Sequence, residues 1–306
     1  MHSRMTWAPI SAWFLAGIAI PVWSQAPFPT AHIARPGSIN YVEGEAFIGT
    51  LPVTASAVGT LELERDQSIA THAGKIEILL TPGVFLRLAD NSSLKMISPD
   101  LANTEVELDQ GRALVEVIDI HPANNIHIDQ NGAKIRLLKK GLYDFDATRC
   151  EVRVFKGSLQ ITNDDRKLTL NGGQRTALDT GGLKAVRFEQ RTYEDEFYRW
   201  SGLRSGYLSE ASVDAARVYV GPGPGWYGPG WGGFGWYWSP WFGVYTFLPA
   251  DGVFVGPFGW GFYSPISVYW SPYFYSHAYP HRFEDFHYPY GHGFAPPGAH
   301  AGRMGR

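Results

Sequence analysis

The sequence predicts an all-β module, a sandwich, barrel or short solenoid, followed by one amphipathic helix and a largely irregular tail rich in glycine, proline and aromatic rings. Three observations carry this prediction. From about Gly37 to Asp179, short runs alternate apolar and polar residues with period two, and turn residues interrupt them every ~8 to 12 positions. Beyond them, apolar residues recur at spacings of three and four. From Val218 onward lysine is absent, aliphatic residues are scarce, and glycine, proline and aromatics dominate.

Near the N-terminus stand Arg4, an apolar stretch from Trp7 to Ile20, the helix breaker Pro21, and Ser24-Gln25-Ala26. That order matches a secretory signal peptide cut after Ala26; a retained signal anchor is the alternative, because Trp13 and Trp23 are bulky and Ser stands where Ala is preferred. Residues 1–26 are therefore expected to direct export, and 27–36 to form a linker. No later segment offers ~20 consecutive aliphatic residues, so no transmembrane span is expected after cleavage. At 306 residues the chain can build a sizeable core. Its net charge of -3 supplies no basic field, which argues against a nucleic-acid partner. Cys150 is the single cysteine, so no internal disulfide forms; alternation places it beside Val152 and Val154 as a buried, inert thiol.

Residues 37–180 carry the strand pattern. Lys75 to Leu80 alternates, followed by Val84, Leu86 and Leu88, then Leu94 and Met96, Val106 and Leu108, and Ala113, Val115 and Val117. Ile126 and Ile128, Ile135 and Leu137, Tyr143 and Phe145, Val152 and Val154, Leu159 and Ile161, and Leu168 and Leu170 continue it. Gly111, Gly141, Gly157 and Gly173 stand at the breaks, and Asp90-Asn91 can adopt the positive φ of a tight hairpin. Residues 181–217 hold a linker and the helix, predicted from about Glu194 to Ala216, roughly five turns. Its aromatic face, Tyr193, Phe197, Trp200, Leu203 and Tyr207, is expected to dock on the β module, with a partner-binding helix as the alternative.

Residues 218–275 form the Gly/Pro/aromatic segment. Its prolines remove backbone donors that hydrocarbon would leave unmatched, which excludes a membrane helix. Val244–Leu248 and Val253–Val255, joined by Pro249-Ala250-Asp251-Gly252, read as a hairpin, whereas the Gly-Trp stretch before them shows no inferable order. Residues 276–306 read as a disordered tail.

The β region resembles the FecR domain, an envelope module of bacterial proteins that relay signals to sigma factors. Thr71-His72-Ala73-Gly74 is similar to its T-x-x-G, and Leu88-Ala89-Asp90-Asn91-Ser92 to its L-x-D-G-S hairpin, with Asn91 in place of glycine. Leu108 to Val117 resembles L-x-x-G-x-A-x-F-x-V, and Gly141 to Phe145 resembles G-T-x-F, with Leu142 replacing threonine. Val152 to Ile161 resembles V-x-V-x-x-G-x-V-x-V, and Leu170 to Gln174 the closing L-x-x-G-Q. The resemblance implies a FecR-like β-sandwich or short β-solenoid, a non-enzymatic module of the cell envelope without cofactor, and the signal peptide places it in the periplasm or outside the cell. The cytoplasmic sigma-binding segment and transmembrane helix of signal-relaying members have no counterpart in this sequence, which implies the secreted variant.

No catalytic constellation emerges. Asp144 with Asp146, Asp164-Asp165 and Glu194-Asp195-Glu196 read as solvated or helix-opening carboxylates. His277 and His281 have the spacing of a helical metal pair, but Pro280 opposes a helix, so no metal site is assigned. Asn91-Ser92-Ser93 matches a glycosylation acceptor pattern that its turn role explains. A hydrolase would require a pocket of converging polar groups. The expected partner is an envelope protein or a polysaccharide. Trp226, Trp231, Trp236, Trp238, Trp241 and Trp260 form the candidate contact surface, on which sugar rings would stack.

Overall fold

The computed structural model describes residues 34–121, 123–179, 182–220, 228 and 230–270. The expected signal peptide, the start of the linker and the expected disordered tail lie outside the described residues. In chain order, the strands of the first part are β1 (Ile39–Ile48), β2 (Leu51–Val53), β3 (Ser68–Thr81), β4 (Val84–Leu88) and β5 (Ser93–Pro99). Then come β6 (Asn103–Gln110), β7 (Arg112–Val117), β8 (Asn125–Gln130), β9 (Ala133–Leu137) and β10 (Gly141–Asp146). β11 (Glu151–Lys156), β12 (Ser158–Asn163), β13 (Arg166–Asn171), β14 (Gln174–Ala177) and β15 (Val186–Arg187) complete them. All belong to one open 15-stranded mixed sheet, ordered β13-β12-β9-β8-β6-β5-β3-β4-β7-β10-β11-β14-β15, with β1 beside β3 and β2 beside β1. The β6–β8 pair is parallel.

β3 is the pivot. Ser68 to Ala70 pair with β5, Ile76 to Thr81 pair with β4, and β1 runs along the opposite edge. The sheet therefore divides into two arms that start from one strand. Leu94, Met96, Ile128 and Ile161 of the first arm share a single core with Leu86, Val115, Phe145 and Val154 of the second. In the first arm the sequence alternation means what it usually means: β5 and β8 bury every second residue and leave the rest partly open. In the second arm every residue of β4 and β10 is buried, so both of its faces are covered.

At the split, Asn91 takes the expected left-handed conformation, φ 50°. The turn closes no hairpin, however, because β4 and β5 depart into different arms. Thr71 fills the fork: its hydroxyl donates to the Ala89 carbonyl at 2.5 Å and accepts from the Ser92 amide at 3.1 Å. Cys150 is also displaced from its expected place. It occupies the turn before β11 at φ 51°, half-buried, since the β10–β11 hairpin pairs Asp146 with Glu151 and leaves 147–150 to form the turn.

The helix α1 (Glu196–Val218) starts two residues later than predicted, because Asp195 caps it by accepting the Tyr198 amide at 3.0 Å. Glu196 in its first turn and Arg217 in its last complement the helix dipole. It docks on the outer face of the second arm, and the predicted stripe takes part only at its start: Tyr193, Phe197 and Trp200 pack with Leu114, Leu142 and Phe155. Phe197 is buried, whereas Leu203 is 52% and Tyr207 39% exposed. The buried side is Phe197, Ser201, Arg204, Ser205, Leu208, Ala211, Ser212 and Ala215. Small and polar residues suit that side because the strand face below carries buried charges, which a purely aromatic stripe would leave unpaired.

The predicted hairpin is corrected. β17 (Val244–Leu248) pairs with β16 (Gly235–Ser239), inside the stretch read as orderless, and β18 (Val253–Val255) pairs with β19 (Gly261–Tyr263). Cross-strand ring pairs select this register: Trp238 meets Tyr245 at 5.0 Å and Trp236 faces Phe247 at 6.5 Å. A short helix, α2 (Pro265–Trp270), follows, and its Val268 packs with Ala215 and Ala216 of α1.

Candidate functional site

The second arm presents Arg87, Glu116, Asp144 and Arg153 on the face under α1, one from each of β4, β7, β10 and β11, beside Glu77 of β3. Register places Glu77 opposite Arg87 and Asp144 opposite Arg153. The Arg87 guanidinium, wholly buried, donates to Glu77 at 2.8 Å and to Glu116 at 2.9 Å. From α1, Arg204 donates to Glu77 at 3.1 Å and the Ser205 hydroxyl to Glu116 at 2.7 Å. Asn40 of β1 donates to Glu77 at 2.9 Å and ties β17 in by accepting the Tyr245 amide at 2.7 Å. Burial alone would raise the Glu77 carboxyl; the Arg204 and Arg87 guanidinium groups outweigh it and hold the group below its ordinary range. At Glu116 burial wins over its one guanidinium, and the carboxyl is raised.

A second cluster secures the start of the helix. Arg112 grips Asp144 with two hydrogen bonds, 2.8 and 2.9 Å, and pairs with the capping residue Asp195. Arg153 donates to Asp144 at 2.8 Å and to Glu151 at 2.5 Å, while its guanidinium lies 4.7 Å from the Tyr193 ring centre. The reading of Asp144 and Asp146 as solvated is thereby overturned: both are buried, because α1 and the chain leading into it cover their strand. Asp164 and Asp165 are exposed as expected.

Above the fork lies a cleft of about 430 Å³, whose walls include Lys75, Asp90, Asn91, Gly111, Arg112 and Asp195. Gly111 is required there. Its φ is 75°, and a Cβ would stand 2.2 Å from the Ser92 hydroxyl oxygen. Thr71, Asp90 to Ser92 and Gly111-Arg112, drawn from three separate stretches of the sequence, thus meet at one place. They hold the two arms apart and lead into the Arg112–Asp195 contact.

The structure disperses the tryptophans. Trp226 lies outside the described residues. Trp231 stacks on Tyr237 at 5.1 Å, Trp236 meets Phe85 edge-on at 4.8 Å, and Trp238 packs on Gly59. Trp260 donates from its indole nitrogen to the Gly202 carbonyl at 3.0 Å and lies over Gly206, where a Cβ would stand 3.1 Å from the ring. Phe258 covers Gly202 in the same way, so the two glycines of α1 form seats for rings. Trp241, in the β16–β17 turn, is 75% exposed. Among the described residues no group of three or more His, Cys, Asp or Glu could hold a metal ion. His277 and His281 lie outside them.

Sequence reasoning missed Glu77, Arg87, Glu116, Arg153 and Arg204 as interior residues. A signal existed in charges of opposite sign at the polar positions of successive β-runs, followed by a helix rich in serine and alanine.

The sequence matches no family model and no curated protein. Among solved structures, the chain is similar to two crystal structures of a "putative anti-sigma factor" from Parabacteroides distasonis ATCC 8503, each at 12% identity and a TM-score of 0.35. Each match covers 45% of this chain and 63% of that one. No helix among the described residues is long and apolar enough to cross a membrane.

Proposed function

We propose that this chain is a non-enzymatic interaction protein of the bacterial envelope, exported by its N-terminal segment, in which a FecR-like β module works as a scaffold for protein contact or signal sensing. The neutralised charge layer carries this reading. Glu77, Glu116, Asp144 and Glu151, which could have served as acids or bases, are each engaged by a guanidinium inside the fold. Catalytic carboxylates need a cleft that reaches substrate, whereas Glu77 and Glu116 join α1 to the sheet and Asp144 and Glu151 tie neighbouring strands together. The signal-like N-terminal segment and the resemblance of the sequence motifs support the envelope assignment. The test is fractionation and crosslinking of the native protein. The expected result is export with a discrete crosslinked envelope protein. Retention in the cytoplasm, or no adduct above an uncrosslinked control, would reject the reading.

A further inference from the structure

The chain contains two Asn-Gly pairs, Asn131-Gly132 and Asn171-Gly172, and the fold treats their glycine amides differently. Asn131-Gly132 is the two-residue turn between β8 and β9, with Gln130 opposite Ala133 and φ of 49° and 77° at the turn residues. Both are exposed, the Gly132 amide has no hydrogen-bond acceptor among the described residues, and the space where a Cβ of Gly132 would stand is open. At Asn171-Gly172, by contrast, the Gly172 amide donates to the Gly157 carbonyl at 3.0 Å, and the glycine lies against Phe155 and Lys156. The first turn also joins the two arms of the sheet. The Asn131 side-chain amide donates to the Ala147 carbonyl at 3.2 Å, and the neighbouring Gln130 amide donates to the carbonyls of Asp146 at 2.9 Å and Glu151 at 3.3 Å.

We propose that Asn131 is a self-modification site, at which the side-chain amide is lost through a cyclic imide formed with Gly132 and the contact between the two arms is loosened. The Gly132 nitrogen gives its proton to water and attacks Cγ of Asn131. The new N–C bond closes a succinimide, the Cγ–Nδ2 bond breaks, and ammonia departs with a proton taken back from water. A water molecule then opens the ring at one carbonyl or the other, leaving aspartate or isoaspartate. A Cβ on the following residue would crowd that attack, and glycine has none. The turn has to leave its hairpin conformation for the nitrogen to reach Cγ, a local opening that an exposed hairpin tip undergoes at low cost. Gly172 must first break a backbone hydrogen bond. Neither product restores the contact. A carboxylate has no proton to donate to the Ala147 carbonyl, and isoaspartate inserts a methylene into the main chain of a turn whose register requires two ordinary residues. The reaction needs only water, so it stands or falls separately from the scaffold reading.

The experiment ages the full chain at alkaline and at mildly acidic pH and locates each amide-to-acid exchange by peptide mass mapping, with aspartate and isoaspartate separated chromatographically. Asn131 should convert roughly tenfold faster than Asn171, the scale of the backbone hydrogen bond that holds the Gly172 amide. Conversion should be faster at alkaline pH, because the attacking nitrogen must lose its proton. In the denatured chain the two asparagines should convert at similar rates, which assigns the difference to the fold. Fresh Asn131→Asp should melt about 2–4 °C below fresh wild type, the scale of one lost hydrogen bond in a chain of this size, and aged wild type should fall at least as far. Asn131→Gln, whose longer side chain closes an imide ring slowly, should keep its own melting temperature on ageing. Equal conversion of Asn131 and Asn171 in the folded chain, an Asn131 that keeps its amide while the denatured chain loses it, or an aged chain that carries the acid yet melts with fresh wild type would overturn the proposal.

Discussion

At the scale of single residues, the largest energetic consequence belongs to Arg87. It has no contact with solvent and neutralises two carboxylates on neighbouring strands. Arg87→Ala leaves Glu77 and Glu116 buried with reduced compensation, and a loss of about 3–5 kcal/mol is expected in urea unfolding. A loss under ~1 kcal/mol would show that water reaches the layer. On the half-buried face of the first arm, burial first and the neighbouring Glu105 charge second push the Asp129 carboxyl up to about 7. Its folded-state proton affinity thus exceeds that of the unfolded chain, so stability falls as pH rises from about 4 to about 7 and stays reduced above that window. Asp129→Asn should raise the melting temperature at pH 8 and change it little at pH 4; an equal shift at both would count against the assignment. These two positions also mark what alternation can and cannot tell. It identified Val115 and Phe145 as core and their neighbours as the other face. Whether that other face stays partly open, as at Asp129, or is sealed under a helix, as at Arg87, depends on contacts far along the chain, which period two does not encode.

At the scale of elements, α1 was legible as a helix but not in its orientation. The spacing of Phe197, Trp200, Leu203 and Tyr207 suggested an aromatic seam, yet charge pairing and close approach turned the serine and alanine side inward. Gly202 and Gly206 then acquire a role that propensity would not suggest. Replacing glycine in an exposed helix normally gains up to ~1 kcal/mol. Here Gly206→Leu should lower the melting temperature, because the side chain meets the Trp260 ring, while Leu203→Ala on the exposed flank should stay within about 0.5 kcal/mol of wild type. A stabilised Gly206→Leu would mean that the ring seat is not occupied. The hairpins show the same limit. Both β-rich runs of the segment form strands, but with other partners: Val244–Leu248 pairs with the strand of Trp236 and Trp238, and Val253–Val255 with Gly261–Tyr263, whose glycine-rich surroundings carried no strand signal of their own.

At the scale of the whole molecule, the aromatic segment covers an apolar area of the β module that would otherwise face water. Leu79, Phe85 and Ile118 lie in one cluster with Val244, Phe247 and Phe262. A chain shortened to end at Val218 should therefore bind an apolar fluorescent dye and melt at lower temperature than the full chain; unchanged dye binding would indicate that the module repacks by itself. The sequence change at residue 218 marked a change in composition, and the structure shows cores that cross it. The Glu77–Arg204 contact, whose partners are 127 positions apart, also sets an order of events. A chain produced or delivered from its N-terminus presents Glu77, Arg87 and Glu116 to water as a hydrated half-built surface until α1 arrives. The strand face closes only when segments from far along the chain, α1 and then the aromatic segment, have both been added to it.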